Sequence, residues 1–221
     1  PRLYSNDKAL LQSEYRVVNS KSKHLIDFGF VAENNKSSKT HFFSNTNKQI
    51  SLNNFDESEL NIQLERTSND TYLKVYKIKS PLITEEDTLT SSVSIDGYRP
   101  DLSFNIDFRA FEDLNKPKSD RYEYVYPSYN LLKEFGENSE INGNFSLNST
   151  GYLKNSDTNT SENVIINDLN FNSIPTFTEE GIKNSYNFLI KNTNVDASNS
   201  LKFKKNTDSN IASIIEYSSS Y

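Results

Sequence analysis

The sequence predicts an all-β protein: an antiparallel transmembrane β-barrel segment, seen alone as an open curved sheet of about nine to eleven strands. Three observations carry this. The first is the run from Leu102 to Ala110, in which apolar and polar residues alternate without error. Successive side chains on a strand point to opposite faces. Leu102, Phe104, Ile106 and Phe108 therefore share an apolar, candidate lipid-facing side, and Ser103, Asn105, Asp107 and Arg109 a polar, candidate lumen-facing side. The second is a thin apolar content, 34% hydrophobic residues and a mean hydropathy of -0.73. A soluble all-β domain must fill the space between two packed layers, whereas a barrel turns its outer face to lipid and needs no apolar lumen. The third is an aromatic load of 13 Tyr and 14 Phe placed inside alternating segments, which separates the chain from a disordered one of equal polarity. A soluble antiparallel sheet shows the same alternation. The alternative is therefore a soluble or secreted β-sandwich binding module, adhesin-like, in which Phe104, Ile106 and Phe108 face a second sheet of the same chain.

The elements follow in order. Leu10 to Val18 reads as a strand, closed by the polar turn Asn19-Ser20-Lys21-Ser22-Lys23. Ile26, Phe28 and Phe30 alternate with Asp27 and Gly29 before a loop from Glu33 to Lys39. A strand opens at His41-Phe42-Phe43 and fades into Asn-rich sequence; Leu60, Ile62 and Leu64 mark the next. Tyr72-Leu73-Lys74-Val75-Tyr76 reads as a strand after Ser68-Asn69-Asp70, and Ser91 to Ile95 as another, ended by the turn residues Asp96-Gly97-Tyr98-Arg99-Pro100. After a loop from Glu112 to Arg121, Tyr122, Tyr124 and Tyr126 share one face until Pro127, which cannot donate to a ladder and marks an edge, a bulge or a strand end. Phe145 and Leu147 form a segment closed by Gly151, followed by a polar loop from Asn155 to Glu162. Val164 to Phe171, Ile182 to Lys191, Leu201 with Phe203, and Ile211 to Tyr217 complete the series. No helix of convincing length and no fixed repeat appears, and no second domain is evident across residues 1–221. Tyr122, Tyr126, Tyr152 and Tyr217 at strand ends fit an interfacial aromatic girdle.

Composition bounds the chemistry. A net charge of -6 argues against a nucleic-acid partner, which dense Lys and Arg would serve. Lys202, Lys204 and Lys205 read as a solvated loop or strand end. The absence of cysteine removes disulfides, thiol catalysis and cysteine metal sites from this segment. His24 and His41 read as isolated strand-end histidines without nearby paired carboxylates, and Glu85-Glu86-Asp87 and Glu179-Glu180 as solvated turns without calcium-loop spacing; a barrel hydrolase, which needs clustered His, Asp or Ser at one rim, is disposed of if both histidines lie far from all carboxylates. No active site, cofactor motif or metal set is read, so an enzyme is not expected. No apolar run approaches the roughly 20 residues of a spanning helix, a measure blind to barrel strands. The start on Pro1 is read as an internal piece of a longer protein, with any export signal upstream.

Several phrases, taken in order, resemble one family: the outer-membrane lipopolysaccharide (LPS) assembly proteins called LptD, or organic solvent tolerance proteins. They are Pro1-Arg2-Leu3-Tyr4, Ser13-Glu14-Tyr15-Arg16, Ser68-Asn69-Asp70-Thr71-Tyr72-Leu73, Asp120-Arg121-Tyr122-Glu123-Tyr124 with Pro127, Ile166-Asn167-Asp168-Leu169, and Asn187-Phe188 through Lys191-Asn192 to Asn199-Ser200. The resemblance implies a large barrel in the cell outer membrane that takes lipopolysaccharide from a periplasmic bridge protein and inserts it into the outer leaflet. It also implies an LptE-like lipoprotein plug in the lumen. The family's periplasmic domain and disulfide-forming cysteines lie outside such a piece. An acidic segment is a poor attractor for anionic lipid phosphates, which suits a role as barrel wall.

Overall fold

The computed structural model describes residues 2–4, 8–33, 38–138, 142–156, 159–203 and 207–220. Strand accounts for 72% of them and helix for 3%. The elements are β1 (Arg2–Tyr4), β2 (Lys8–Val18), β3 (Ser22–Glu33), β4 (Lys39–Gln49), β5 (Glu57–Thr67), α1 (Tyr72–Tyr76), β6 (Thr88–Arg99), β7 (Leu102–Asp113), β8 (Tyr122–Asn138), β9 (Gly143–Ser156), β10 (Thr160–Ser173), β11 (Thr176–Phe177), β12 (Lys183–Ser198) and β13 (Thr207–Ser220).

These 13 strands form one antiparallel sheet in which sequence neighbours are spatial neighbours. β10 pairs with the Asn187–Ser198 part of β12, and β11 continues the same line against Asn184 and Lys183. The sheet is thus 12 strands wide. It is open: among the described strands β1 pairs only with β2, and β13 only with β12. A meander of this kind puts its connections at two opposite rims. Residues 19–21, 50–56 and 100–101 turn the chain at one, here the Asn19 rim. Residues 68–87 with α1, 114–121 and 199–203 lie at the other, the α1 rim.

Register carries the alternation of single strands across the whole sheet, because paired residues share a face. Ile106 lies opposite Ile95 on β6 and Tyr129 on β8, while Asp107 lies opposite Ser94 and Ser128. The Ile106 face also carries Leu11 and Tyr15 of β2, Phe28 and Phe30 of β3, Phe42 of β4, Leu64 of β5 and Val93 of β6, all exposed. The Asp107 face carries Asn47, Asn61, Gln63, Ser92, Asn130 and Asn148. No second sheet is found among the described residues. The largest apolar core lies at the α1 rim of the polar face, where Tyr72, Leu73, Tyr76 and Ile78 cover Leu10, Val31 and Phe43, joined by Leu89 and Leu114.

Several expected elements shift. Residues 72–76 are a helix rather than a strand. The Asn69 carboxamide accepts the Thr71 amide at 3.1 Å and so turns the chain, and Tyr72, Leu73 and Tyr76 fall on one buried side at helical spacing. Lys77, at φ 47°, closes the turn in the left-handed region. Gly97 does not begin a turn: β6 runs on to Arg99, and the bare Cα leaves room for the Phe104 ring of the paired strand, which a Cβ there would meet at 2.2 Å. Gly151 likewise sits inside β9, crossed by the Tyr129 ring. The loop expected over 155–162 shrinks because β9 reaches Ser156 and β10 starts at Thr160. Pro127 occupies a register shift between Val125 and Ser128, the bulge that a missing N–H favours. The strands outnumber the expectation, since the short β1 and β11 carry too few residues to show a period.

Candidate functional site on the polar face

The four polar residues of β7 share one face and differ along its height. Ser103 and Asn105 lie towards the Asn19 rim; Asp107 and Arg109 lie deeper, towards the α1 rim. The Asn105 carboxamide donates to Asp96 Oδ1 at 2.7 Å, and Asn61 reaches the other oxygen of Asp96 at 3.5 Å. Asp107 is 3% exposed, held by Arg109 Nε at 2.8 Å and by the Ser128 hydroxyl, which donates at 3.4 Å. Asp96, Asp107 and Arg109 are thus each neutralised or hydrogen-bonded by a neighbour one strand or two residues away. On the other face Ile106 and Phe108 stand 38% and 46% exposed, with Leu102 and Phe104 half-buried. Phe104 is the one partly covered by aromatic contact, meeting the Phe55 ring edge-on at 5.0 Å.

Towards the Asn19 rim the polar face opens into a groove of about 720 Å³, lined among others by Glu57, Glu59, Asp96, Tyr98, Ser103 and Asn130. Amides rather than cations hold two of its carboxylates: Asn47 donates to Glu59 at 2.6 Å, as Asn105 does to Asp96. No set of three His, Cys, Asp or Glu side chains able to hold a metal ion is found among the described residues.

The α1 rim differs in kind. Asp27 of β3 and His41 of β4 are fully buried beneath α1, with His41 Nε2 3.3 Å from Asp27 Oδ1 and His41 Nδ1 3.0 Å from the Tyr72 hydroxyl. Gln12 Nε2 donates to Asp27 Oδ2 at 3.0 Å and to the Lys79 carbonyl at 2.9 Å. Gly29, paired with His41, makes room for that imidazole: a Cβ there would come within 2.6 Å of His41 Cε1. His41 also stacks on Phe43 at 4.7 Å. Burying these polar groups is tolerable because each finds a partner, and three of the partners come from different strands and the α1 segment. His41 is thus no isolated strand-end histidine. The expectation fails because its carboxylate partner, Asp27, is distant in sequence and adjacent only through β3–β4 register. Cross-strand spacing was the one sequence signal: Asp27 and His41 lie on the same side once Gly29 is placed opposite His41. The pair is covered on all sides, which suits holding the segment in place.

Outside the strands, Arg121 clasps Asp70 through two hydrogen bonds, 2.9 and 2.6 Å long. The guanidinium holds the Asp70 carboxyl below its ordinary range, and the carboxylate raises Arg121 in return. The Ser68–Leu73 and Asp120–Tyr124 stretches are therefore in direct contact. Lys74 pairs with Asp87, and the Leu114 amide donates to the Asp87 carbonyl at 2.8 Å. Farther along the same rim, residues 199–203 also fold onto the polar face, where Phe203 packs on Val164, Val195 and Ala197. Lys202 donates to the Tyr152 hydroxyl at 2.8 Å, a bond that raises the lysine, and Tyr152 donates to Glu162 at 3.1 Å. Tyr152 thus lies on the polar face and leaves the expected girdle, because its partner in register is Val164 rather than an apolar-face residue. Tyr122 stacks on Tyr124 with centroids 5.9 Å apart, Tyr126 meets Tyr124 tilted at 5.3 Å, and Tyr217 packs on Tyr186 at 5.1 Å. Lys204 and Lys205 lie outside the described residues.

No protein-family model matches this chain, and no curated protein matches it significantly.

Proposed function

We propose that this chain forms part of the wall of an outer-membrane β-barrel that inserts lipopolysaccharide into the outer leaflet, as its resemblance to the LptD proteins implies. One observation carries the barrel reading: a single sheet whose exposed apolar face meets no second layer among the described residues, while its other face is polar at mid-height from β4 to β7. In water such a face is costly, since each exposed aliphatic or aromatic side chain forgoes about 1.5–3 kcal/mol of burial; in a bilayer the cost disappears. The long strands, 11 to 17 residues, reach or exceed the roughly 9–11 that cross a bilayer at a tilt. Barrel loops are short on the periplasmic side and longer outside, which assigns the α1 rim to the cell exterior and the Asn19 rim to the periplasm.

Within this reading Leu102, Phe104, Ile106 and Phe108 face lipid, and Ser103, Asn105, Asp107 and Arg109 face the lumen. The lumen side supplies neutral hydrogen-bonding groups suited to a passing sugar chain, with an LptE-like plug and a periplasmic bridge protein as partners. Asp96, Asp107 and Arg109 are already held by partners, so this part of the segment acts as wall. The test compares Ile106→Arg with Asn105→Arg in the intact protein. Arginine on the lipid face near the bilayer midplane costs about 2–4 kcal/mol, whereas one on the wet side costs far less. Ile106→Arg alone should reduce the heat-modifiable, folded band on a gel; equal tolerance of both changes contradicts the membrane reading.

A further inference from the structure

We infer that the outer face of β9 to β13 is a self-association surface, on which a second copy of this protein docks through a ladder of side-chain carboxamides. The inference rests on the barrel reading above and adds to it a partner for one sector of the wall.

Three observations support it. First, a polar row crosses the side read as lipid-facing. Register carries the row of Phe104 through Leu131 to Ser149, Asn167 and Asn192, so these polar residues share the face of Ile106. Asn194 and Ser209 stand one step along the strands on the same face, in the row of Tyr129 and Gly151. The site is mid-strand rather than at a rim, since the next row towards the Asn19 rim is Leu147, Leu169 and Ile190. Across β5 to β7 the same face is Ile62, Val93, Ile95, Ile106 and Phe108, which suits lipid. Second, the polar residues form one connected ladder. The Ser149 hydroxyl donates to Asn167 Oδ1 at 2.7 Å, and Asn167 Nδ2 to Asn192 Oδ1 at 3.3 Å. Asn194 Nδ2 donates to the same Asn192 oxygen at 2.6 Å, and the Ser209 hydroxyl to Asn194 Oδ1 at 2.7 Å. Third, the ladder is not saturated. A carboxamide carries two N–H donors and two carbonyl lone pairs. Among the described residues Asn167 and Asn194 each donate one hydrogen bond and accept one, and Asn192 gives one N–H to the Asn210 carbonyl at 3.4 Å.

The outer side of the row therefore offers donors and acceptors together and carries no charge. Acyl chains satisfy neither, and polar groups left against hydrocarbon are costly. Within a membrane such side chains sit where another protein surface covers them and hydrogen-bonds to them. A charged partner finds no counter-charge in the row. A second copy related by a two-fold axis brings the same neutral donors and acceptors in reverse order, which makes the row self-complementary.

The test uses the intact protein in proteoliposomes. Flotation reports insertion, and energy transfer between donor-labelled and acceptor-labelled copies reports association as the protein is diluted into lipid. The parent should associate. Asn167→Leu with Asn192→Leu makes the row apolar and should weaken association about tenfold or more, read from the protein-to-lipid ratio at half-maximal transfer. The milder Asn194→Val should weaken it in the same direction by less. Asn148→Leu, next to Ser149 but on the opposite face, should leave it unchanged. A parent that floats yet transfers no more than randomly placed monomers overturns the self-association and leaves the barrel reading standing. Ladder variants that float and associate as the parent does have the same consequence. Failure of the parent itself to float overturns both.

Discussion

The two rims of this sheet are made from the same thirteen strands, yet they solve opposite problems. At the Asn19 rim tight connections reverse the chain, Asn19 Oδ1 accepts the Lys21 and Ser22 amides at 3.1 and 2.8 Å, and the polar face is left open as a groove. At the α1 rim a long connection folds back over that face and buries an imidazole, a carboxylate and seven apolar side chains to near zero exposure. Local hydrogen bonding suffices for the first. The second depends on residues from β2, β3, β4 and a distant loop meeting at one place, so its stability is tertiary and cooperative. The lesson is that a sheet with few apolar residues inside can still carry a core, provided the core is confined to where a loop returns.

The sharpest way to break this contrast is to hollow the α1 rim. Phe43→Ala removes a fully buried ring and should cost about 3–5 kcal/mol, read as a lowered denaturation midpoint, while Asn105→Ala at the Asn19 rim should shift it by a small fraction of that. Comparable losses at both rims mean that the core beneath α1 is not the stabilising unit. A smaller effect is expected from Tyr72→Phe, which keeps the packing and leaves His41 Nδ1 without its 3.0 Å partner. An unsatisfied buried group costs about 1–3 kcal/mol; hydrogen exchange at the Ile78 amide, which donates to Leu73, should speed up accordingly. No change in that exchange would show that apolar contact alone docks the segment.

The clasp should matter least. Asp70 is half exposed, and such pairs contribute at most about 1 kcal/mol. Its carboxyl is held below the ordinary value of 3.8 by Arg121, so the contribution is complete above that value and disappears as pH falls through the lowered one in the folded protein. Asp70→Asn should therefore reduce stability slightly at neutral pH and have no effect in strong acid. A difference from the parent that grows on acidification would assign the pH dependence elsewhere.

The strands were legible in the sequence because a period of two is a local property. Leu102 to Ala110, Leu60 to Leu64 and Ile26 to Phe30 declare their faces without reference to any neighbour, and β3, β5 and β7 occupy those positions. The polar and apolar members of β7 fall on opposite faces for the same reason. What sequence reading could not reach was each place where a neighbour overrules local preference. Tyr72 to Tyr76 carries strand-forming residues, but the Asn69 turn and the apolar patch beneath draw it into a helix. Gly97 and Gly151 carry a turn residue's reputation, but each lies where a cross-strand aromatic ring needs room. Asp27 and His41 look unrelated until hairpin register sets them side by side. Side-chain alternation is set by backbone geometry within a strand, and so the sequence by itself determined that β5 and β7 each carry one apolar and one polar face. Register, loop return and burial depend on contacts between residues far apart in the chain, and only the tertiary structure decided which rim is closed.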